Sequence, residues 1–335
     1  MKDIARDLGV SVVTVSKVLR NHEDISYETR QRVLKRMKEL DYQPNLAARA
    51  LVTGRTLSIG LVVPDLVYPF FSEMAKGLSS ELRTKGYGLL ISSSEEDQQL
   101  ERQEIDQLLA RSVDALIIAS TQLTVESFRR IEEGKRPYVL VDRCFVGLPA
   151  NFVGVDDEEV GRLATEHLIS VGCRRIAHIR GSEVSTSLGR LVGYRQAMAR
   201  HGLEIPAGYI QTSGAGDAAG DISGHEAMLR LLSLEPRPDG VFCVNDPTAV
   251  GALKAILDSG LRVPHDIALI GCGNVRHAEL MRVPLSSVDQ DSAGIGRQAA
   301  ALALGLLQSK GERPRPKTIL LPPKLVARES TRRQA

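Results

Sequence analysis

The sequence predicts two parts: a small all-α head built on a helix-turn-helix, then a larger α/β body of two lobes. Three observations carry this. Residues 4–19 place two short amphipathic patterns on either side of Gly9. A basic third helical pattern follows from Ser26. From about residue 58, short aliphatic runs alternate with helical ones, the pattern of parallel sheets covered by helices.

In the head, Ile4, Ala5 and Leu8 fall on one helical face, and Val15, Val18 and Leu19 on another, so the two helices can pack together. Gly9 can take the positive φ of the turn, and Ser11 offers its hydroxyl to the second helix as a cap. That helix leaves Val12, Val13, Thr14, Ser16 and Lys17 outward, small and polar groups that fit a DNA major groove. Two ordinary core helices would give the same motif; its surroundings favour DNA. The third helix, Tyr27 to Leu40, has Val33, Leu34, Met37 and Leu40 as its apolar stripe and Arg30, Arg32, Lys35, Arg36 and Lys38 opposite. Residues 1–55 hold 11 Lys and Arg against 7 Asp and Glu, whereas the whole chain is only +2. Positive charge therefore sits at the front, where a polyanion would bind. The helix-turn-helix domain is assigned to residues 1–43.

Residues 44–57 read as a hinge helix and linker. Pro44 suits a helix entry, Asn45 to Leu51 can form barely two turns, and Gly54 ends it. So short a helix needs something else to stabilise it. Ala47, Ala48 and Ala50 permit close approach of a second copy, leaving Leu51 as a wedge for a minor-groove base step. A plain interdomain linker remains the other reading.

In the body, strands are expected at Ile59–Val63, Gly88–Ser92, Ala115–Ala119, Tyr138–Val141, Ile176–Ile179, Val241–Val244 and Ile267–Ile270. Helices are expected at Phe71–Lys85, Glu101–Arg111, Glu158–Val171, Leu188–His201, Ala227–Leu232 and Thr248–Ser259. Residues 58–335 are too many for one open sheet of this kind, so two lobes are expected, with a ligand in the cleft at the carboxyl ends of the strands.

Taken in order, helix-turn-helix, basic helix, Tyr42-Gln43-Pro44-Asn45 and the Ala-rich hinge resemble the lac-repressor/galactose-repressor family of transcription regulators. The resemblance runs on through Pro64-Asp65, Tyr68-Pro69-Phe70-Phe71, Asp142-Arg143, Val155-Asp156-Asp157, Arg190-Leu191-Val192-Gly193-Tyr194, Asn245-Asp246 and Leu325 to Ser330. It implies a periplasmic-binding-protein-like (type I) body, with one lobe at about 58–157 plus 291–318 and the other at about 158–290 plus 319–335. It also implies a homodimer on a pseudo-palindromic double-stranded DNA operator, most simply as a repressor, controlled by a small-molecule effector. On the DNA side the residues are Val12, Val13, Thr14, Ser16, Lys17, Asn45, Ala48 and Leu51. For the effector they are Asp65, Phe70, Phe71, Asp142, Arg143, Arg190, Asn245, Asp246, Gly273 and Gln290. Arg190 and Asn245-Asp246 would hold hydroxyls or a carboxylate. Asp142-Arg143 reads equally as an ion pair across the cleft, and Asp246 equally as a helix cap.

The chain departs from the resemblance at Gly271-Cys272-Gly273-Asn274, where relatives commonly carry an acid that takes sugar hydroxyls. Gly273 cannot do this, though Asn274 can partly compensate; with Arg190 and Arg143 retained, an anionic ligand such as a sugar acid or sugar phosphate gains weight against a neutral sugar. Val12 and Val13 can touch thymine methyls but little else, so selectivity should lean on Thr14, Ser16, Lys17 and Leu51.

Composition fits this class: 43% of residues are hydrophobic and 25% charged, enough apolar material for a sizeable core. Four scattered cysteines read as buried thiols in a reducing cytoplasm, and neither a signal region nor a membrane span is expected. Gly214 to Gly220 has the wrong spacing for a dinucleotide fingerprint, and the seven histidines show no metal or triad spacing. No catalysis, cofactor or metal is expected. A solute-binding protein would lack the DNA head; an α/β enzyme with a fused head is the alternative reading. After Arg328 only Glu-Ser-Thr-Arg-Arg-Gln-Ala follows, so a coiled-coil tetramer is not expected.

Overall fold

The computed structural model describes residues 1–19, 22–42, 50, 54–145, 147–213, 220–309 and 314–332, with side chains 126, 127, 129 and 130 left aside. The hinge residues Asn45, Ala48 and Leu51 and the glycine-rich loop 214–219 lie outside the described residues. Contacts divide the chain into two units, Met1–Thr56 and Leu57–Ala335.

The first unit carries helices α1 (Lys2–Leu8), α2 (Val12–Leu19) and α3 (Tyr27–Glu39). Gly9 closes α1 at φ 64°, in the left-handed region. The Ser11 hydroxyl accepts from the Thr14 amide at 2.9 Å, and that of Ser26 from the Thr29 amide at 3.3 Å, so both caps form. Ile4, Ala5, Val15, Val18, Val33 and Met37 make the buried core. Leu34 and Leu40, expected in that core, are exposed. Three helices meet at one narrow seam, too small to cover a four-residue stripe.

The second unit holds two six-stranded sheets. Its elements run β1 (Ser58–Val63), α4 (Pro69–Thr84), β2 (Gly88–Ser93), α5 (Gln98–Ala110), β3 (Ala115–Ile118), α6 (Glu126–Glu133), β4 (Tyr138–Val141), β5 (Asn151–Val155) and α7 (Asp157–Ser170). They continue as β6 (Ile176–Arg180), α8 (Ser185–Arg200), β7 (Ile210–Thr212), α9 (Gly220–Leu232), β8 (Gly240–Cys243), α10 (Asp246–Asp258), β9 (Ala268–Cys272) and β10 (Ser286–Asp289). Last come α11 (Ser292–Gln308), β11 (Thr318–Leu321) and β12 (Lys324–Val326).

The N-lobe sheet has the order β11-β5-β4-β3-β1-β2 and is parallel throughout. The C-lobe sheet runs β12-β10-β9-β8-β6-β7, with only β12 antiparallel. Near-continuous burial of β1, β3, β4, β8 and β9 follows from helices covering both faces. The chain passes between lobes after β5, between β10 and α11, and between β11 and β12. The last crossing lies at 322–323 and not at the expected 318/319, because β11 completes its ladder with β5 first. Helix α11 packs against α4 so closely that a Cβ on Gly296 would strike the Met74 carbonyl oxygen.

Candidate functional site

In α2 the outward residues are available as the sequence implied: Val13 is 61% exposed and Val12 40%. Two of the polar ones are engaged, however. The Thr14 hydroxyl pairs with that of Ser11 at 2.9 Å, and the Lys17 ammonium is in an ion pair with Asp24. That pairing holds the Asp24 carboxyl below its ordinary range. Ser16 is half-buried on the same helix.

The basic side of α3 is partly structural too. Arg36 donates to Asp7 at 2.6 and 3.0 Å, Arg32 to the Leu8 carbonyl at 3.1 Å, and Arg30 to the His22 carbonyl at 2.6 Å. These bonds tie α3 back to α1 and to the loop ahead of α3. Lys35 and Lys38 have no such partner among the described residues, which leaves them suited to phosphate contact.

In the second unit, the carboxyl ends of both sheets face a shared, narrow cleft. The N-lobe lines it with Tyr68, Phe70, Phe71, Asp142 and Arg143. From the C-lobe come Ser182, Thr186, Ser187, Arg190, Ser213, Asn245 and Thr248, and Gln290 stands at a crossover. The N-termini of α8 and α10 end here, so their amide dipoles add positive potential to the C-lobe wall.

Each lobe contributes one arginine, and each arginine is matched within its own lobe. Arg143 grips Glu96 with two guanidinium nitrogens, at 2.8 and 3.2 Å, and reaches the Ser120 carbonyl at 3.4 Å. Its Nε stands 3.8 Å from Asp142, so the expected Asp142-Arg143 ion pair is the weaker contact. The adjacent side chains diverge because Asp142 sits at φ 61°. Arg190 donates to Asp157 at 2.9 Å and to the Val244 carbonyl at 2.6 Å.

Asp142 is then the surplus carboxylate, buried and on the cleft wall. Burial pushes its carboxyl up to about 6, against the pull of Arg143 and Arg190. Asp157 is likewise raised by burial and held down by Arg190. Across from Asp142 are two buried donors without a hydrogen-bond partner among the described residues, Ser187 Oγ and Gln290 Nε2. The Cys272 thiol donates to Gln290 Oε1 at 3.3 Å, which fixes the amide orientation and leaves its NH₂ toward the cleft.

Three expected cleft residues lie elsewhere. Asp65 accepts from the Val67 and Tyr68 amides at 2.8 and 3.1 Å, making the turn ahead of α4. Asp246 accepts from the Ser287 hydroxyl and the Val275 amide, at 2.7 and 2.8 Å, and does not line the cleft. Its burial raises the carboxyl to about 6. Nor is Asp246 the helix cap; Asn245 is, its side chain accepting from the Thr248 amide at 2.9 Å. Gly273 sits under Tyr68, and Asn274, which might have replaced the missing acid, is tied to Asp289 and Arg328. Sequence reading missed Glu96, Asp157, Tyr68, Ser187 and Thr248. Only Asp157 and Tyr68 carried a signal, since both stand in motifs quoted for the resemblance.

Residues 1–45 match the model for bacterial regulatory proteins of the lacI family, and 165–331 that for a periplasmic binding protein-like domain. The regulator DegA of Bacillus subtilis is 35% identical over 98% of this chain and 97% of its own. The chain belongs to the lacI family of bacterial regulatory proteins. GalR of Escherichia coli, another lacI-family regulator, is 35% identical over 98% of this chain and 95% of its own. Among solved structures, the lac repressor dimer bound to operator and an anti-inducer matches with a TM-score of 0.85 at 27% identity, covering 98% of both chains. A complex of the regulator CelR with cellobiose matches with a TM-score of 0.75 at 30% identity, again over 98% of both. This lacI-family chain is thus a DNA-binding transcription regulator. No helix among its described residues is long and apolar enough to cross a membrane.

Proposed function

We propose that the protein is a cytoplasmic repressor, acting as a homodimer on a two-fold operator and released or tightened by a neutral, hydroxyl-rich metabolite in the cleft. One observation carries the ligand class. Both cleft arginines are matched by carboxylates, a third carboxylate, Asp142, is left over, and the donors Ser187 Oγ and Gln290 Nε2 lie across from it. The cleft is lined by Asp142, Arg143 and Arg190, and Glu96 and Asp157 behind the wall already occupy the two guanidinium groups, so no unmatched cation is held out to an anion. On that ground we place a neutral ligand ahead of the anionic one weighed from Gly273. A hydroxyl serves both walls, donating to Asp142 and accepting from Ser187 or Gln290. Phe70 and Phe71 offer apolar surface to a ring face. The cellobiose in the CelR complex is a ligand of this chemistry.

On the DNA side, Val12, Val13, Thr14, Ser16 and Lys17 would meet the major groove, with Lys17 exchanging Asp24 for a phosphate or base. Asn45, Ala48 and Leu51 would form the hinge contact in the minor groove. A helix-turn-helix of this size reads one half-site, hence the homodimer. Selecting bound DNA from a random pool with the full chain tests this. Paired, inverted half-sites are expected; an asymmetric single site would contradict the dimer.

A further inference from the structure

The geometry assigns to Tyr68 and Gly273 the role of a cross-lobe latch, in which the Tyr68 hydroxyl spans the cleft mouth and biases the body toward its closed arrangement. The hydroxyl donates to the Cys272 carbonyl at 3.3 Å, from the N-lobe to the C-lobe. Gly273 makes the room: a Cβ there would stand 2.5 Å from Tyr68 Oη, and its φ of 123° is one that side chains rarely adopt. Both properties of glycine are used here.

The tyrosine itself is held firmly. Its ring stacks on Phe70 at 5.7 Å and meets Phe71 edge-on at 5.7 Å. Its amide donates to Asp65, the carboxylate that the cleft does not use. A second bridge, from the Cys144 amide to Ser185 Oγ at 3.0 Å, closes the same two lobes elsewhere. Donor, acceptor and the space between them all belong to the chain, so the latch forms without a ligand. A ligand entering at this end must leave the Tyr68 bridge in place or displace it.

Cys272 provides the readout. Cys173, Cys243 and Cys272 are all buried in the C-lobe core; the Cys272 thiol bonds Gln290, which lines the cleft, and that of Cys173 bonds the Asp239 carbonyl. The rate of thiol labelling at each cysteine is measured by mass spectrometry on the full chain, with no DNA or small molecule added. A failure of the latch then leaves the proposed function standing. Tyr68→Phe keeps the ring and removes the bridge, and should speed labelling of Cys272 roughly three- to tenfold, the weight of one such hydrogen bond. Cys173 and Cys243 should stay at their original rates. Gly273→Ala should also speed Cys272, and the double variant should add less than the two effects combined. Hydrogen exchange at the Cys144 amide should rise in step. Unchanged Cys272 labelling in Tyr68→Phe would overturn the latch. So would an equal rise at Cys173 and Cys243, which would mean general loosening.

Discussion

The two lobes are built to nearly the same plan and present opposite chemistry to the cleft. Both sheets place their strands in the same order, both contribute one arginine, and both match it with a carboxylate of their own. The N-lobe keeps an extra acceptor, Asp142, while the C-lobe keeps an extra donor in Ser187 and two helix N-termini. Gln290, at the crossover, adds a second donor. Similar folds therefore do not give similar walls. Each arginine is held as part of a rigid wall, and the groups left over have the task of meeting a ligand.

The C-lobe pair is the harder one to break. Arg190→Met strands Asp157 as a buried, unmatched carboxylate, and should cost about 3–5 kcal/mol in chemical unfolding. In the N-lobe, Glu96→Gln removes the charge from one partner only. Arg143 keeps the Ser120 carbonyl and Asp142 nearby, so the loss should be smaller, about 1–3 kcal/mol. If Glu96→Gln costs as much as Arg190→Met, the two walls are equally dependent on their pairs and the contrast fails.

Asp142→Asn sharpens the contrast through pH. The folded Asp142 carboxyl is raised from 3.8 to about 6, so between those values the native state holds a proton that the unfolded chain has lost. Native stability contributed by this group is present below pH 4 and is lost as pH rises toward 6. Asp246, raised likewise, adds to this trend, while His178, lowered by burial from 6.5 to about 4, opposes it. Comparing variant with wild type cancels the other two. The Tm of Asp142→Asn relative to wild type should climb from pH 4 to pH 7; a flat difference would mean that Asp142 is not buried as described. The smallest stability effect is expected in the head, where Ser26→Ala removes the α3 cap and should cost about 1 kcal/mol in thermal unfolding.

Much of this plan could be read from the residues. The expected strand ends Asp142, Asn245 and Gln290 reach the cleft region because β-runs with helical spacers leave few other topologies. The head was readable in detail, since Gly9, Ser11 and Ser26 act on neighbours within three residues. The pairings were not. Arg143 and Glu96 are 47 residues apart, Arg190 and Asp157 33, and Tyr68 and Cys272 204, and only tertiary structure decides such partners. Helix α11 went unread because its buried stripe, Ile295, Ala299, Ala300, Ala303 and Leu304, is mostly alanine and contrasts weakly with the Ala- and Gly-rich opposite side. Gly273 was read as a loss of ligand contact; its meaning required the position of Tyr68.

The most direct test of the account uses the operator recovered by selection and measures its affinity for the full chain across paired neutral and anionic sugars of the same skeleton. A neutral, hydroxyl-rich member should change operator affinity by about 5- to 150-fold. Asp142→Asn, still folded, should lose most of that response. A response confined to the anionic members, kept in full by Asp142→Asn, would contradict it.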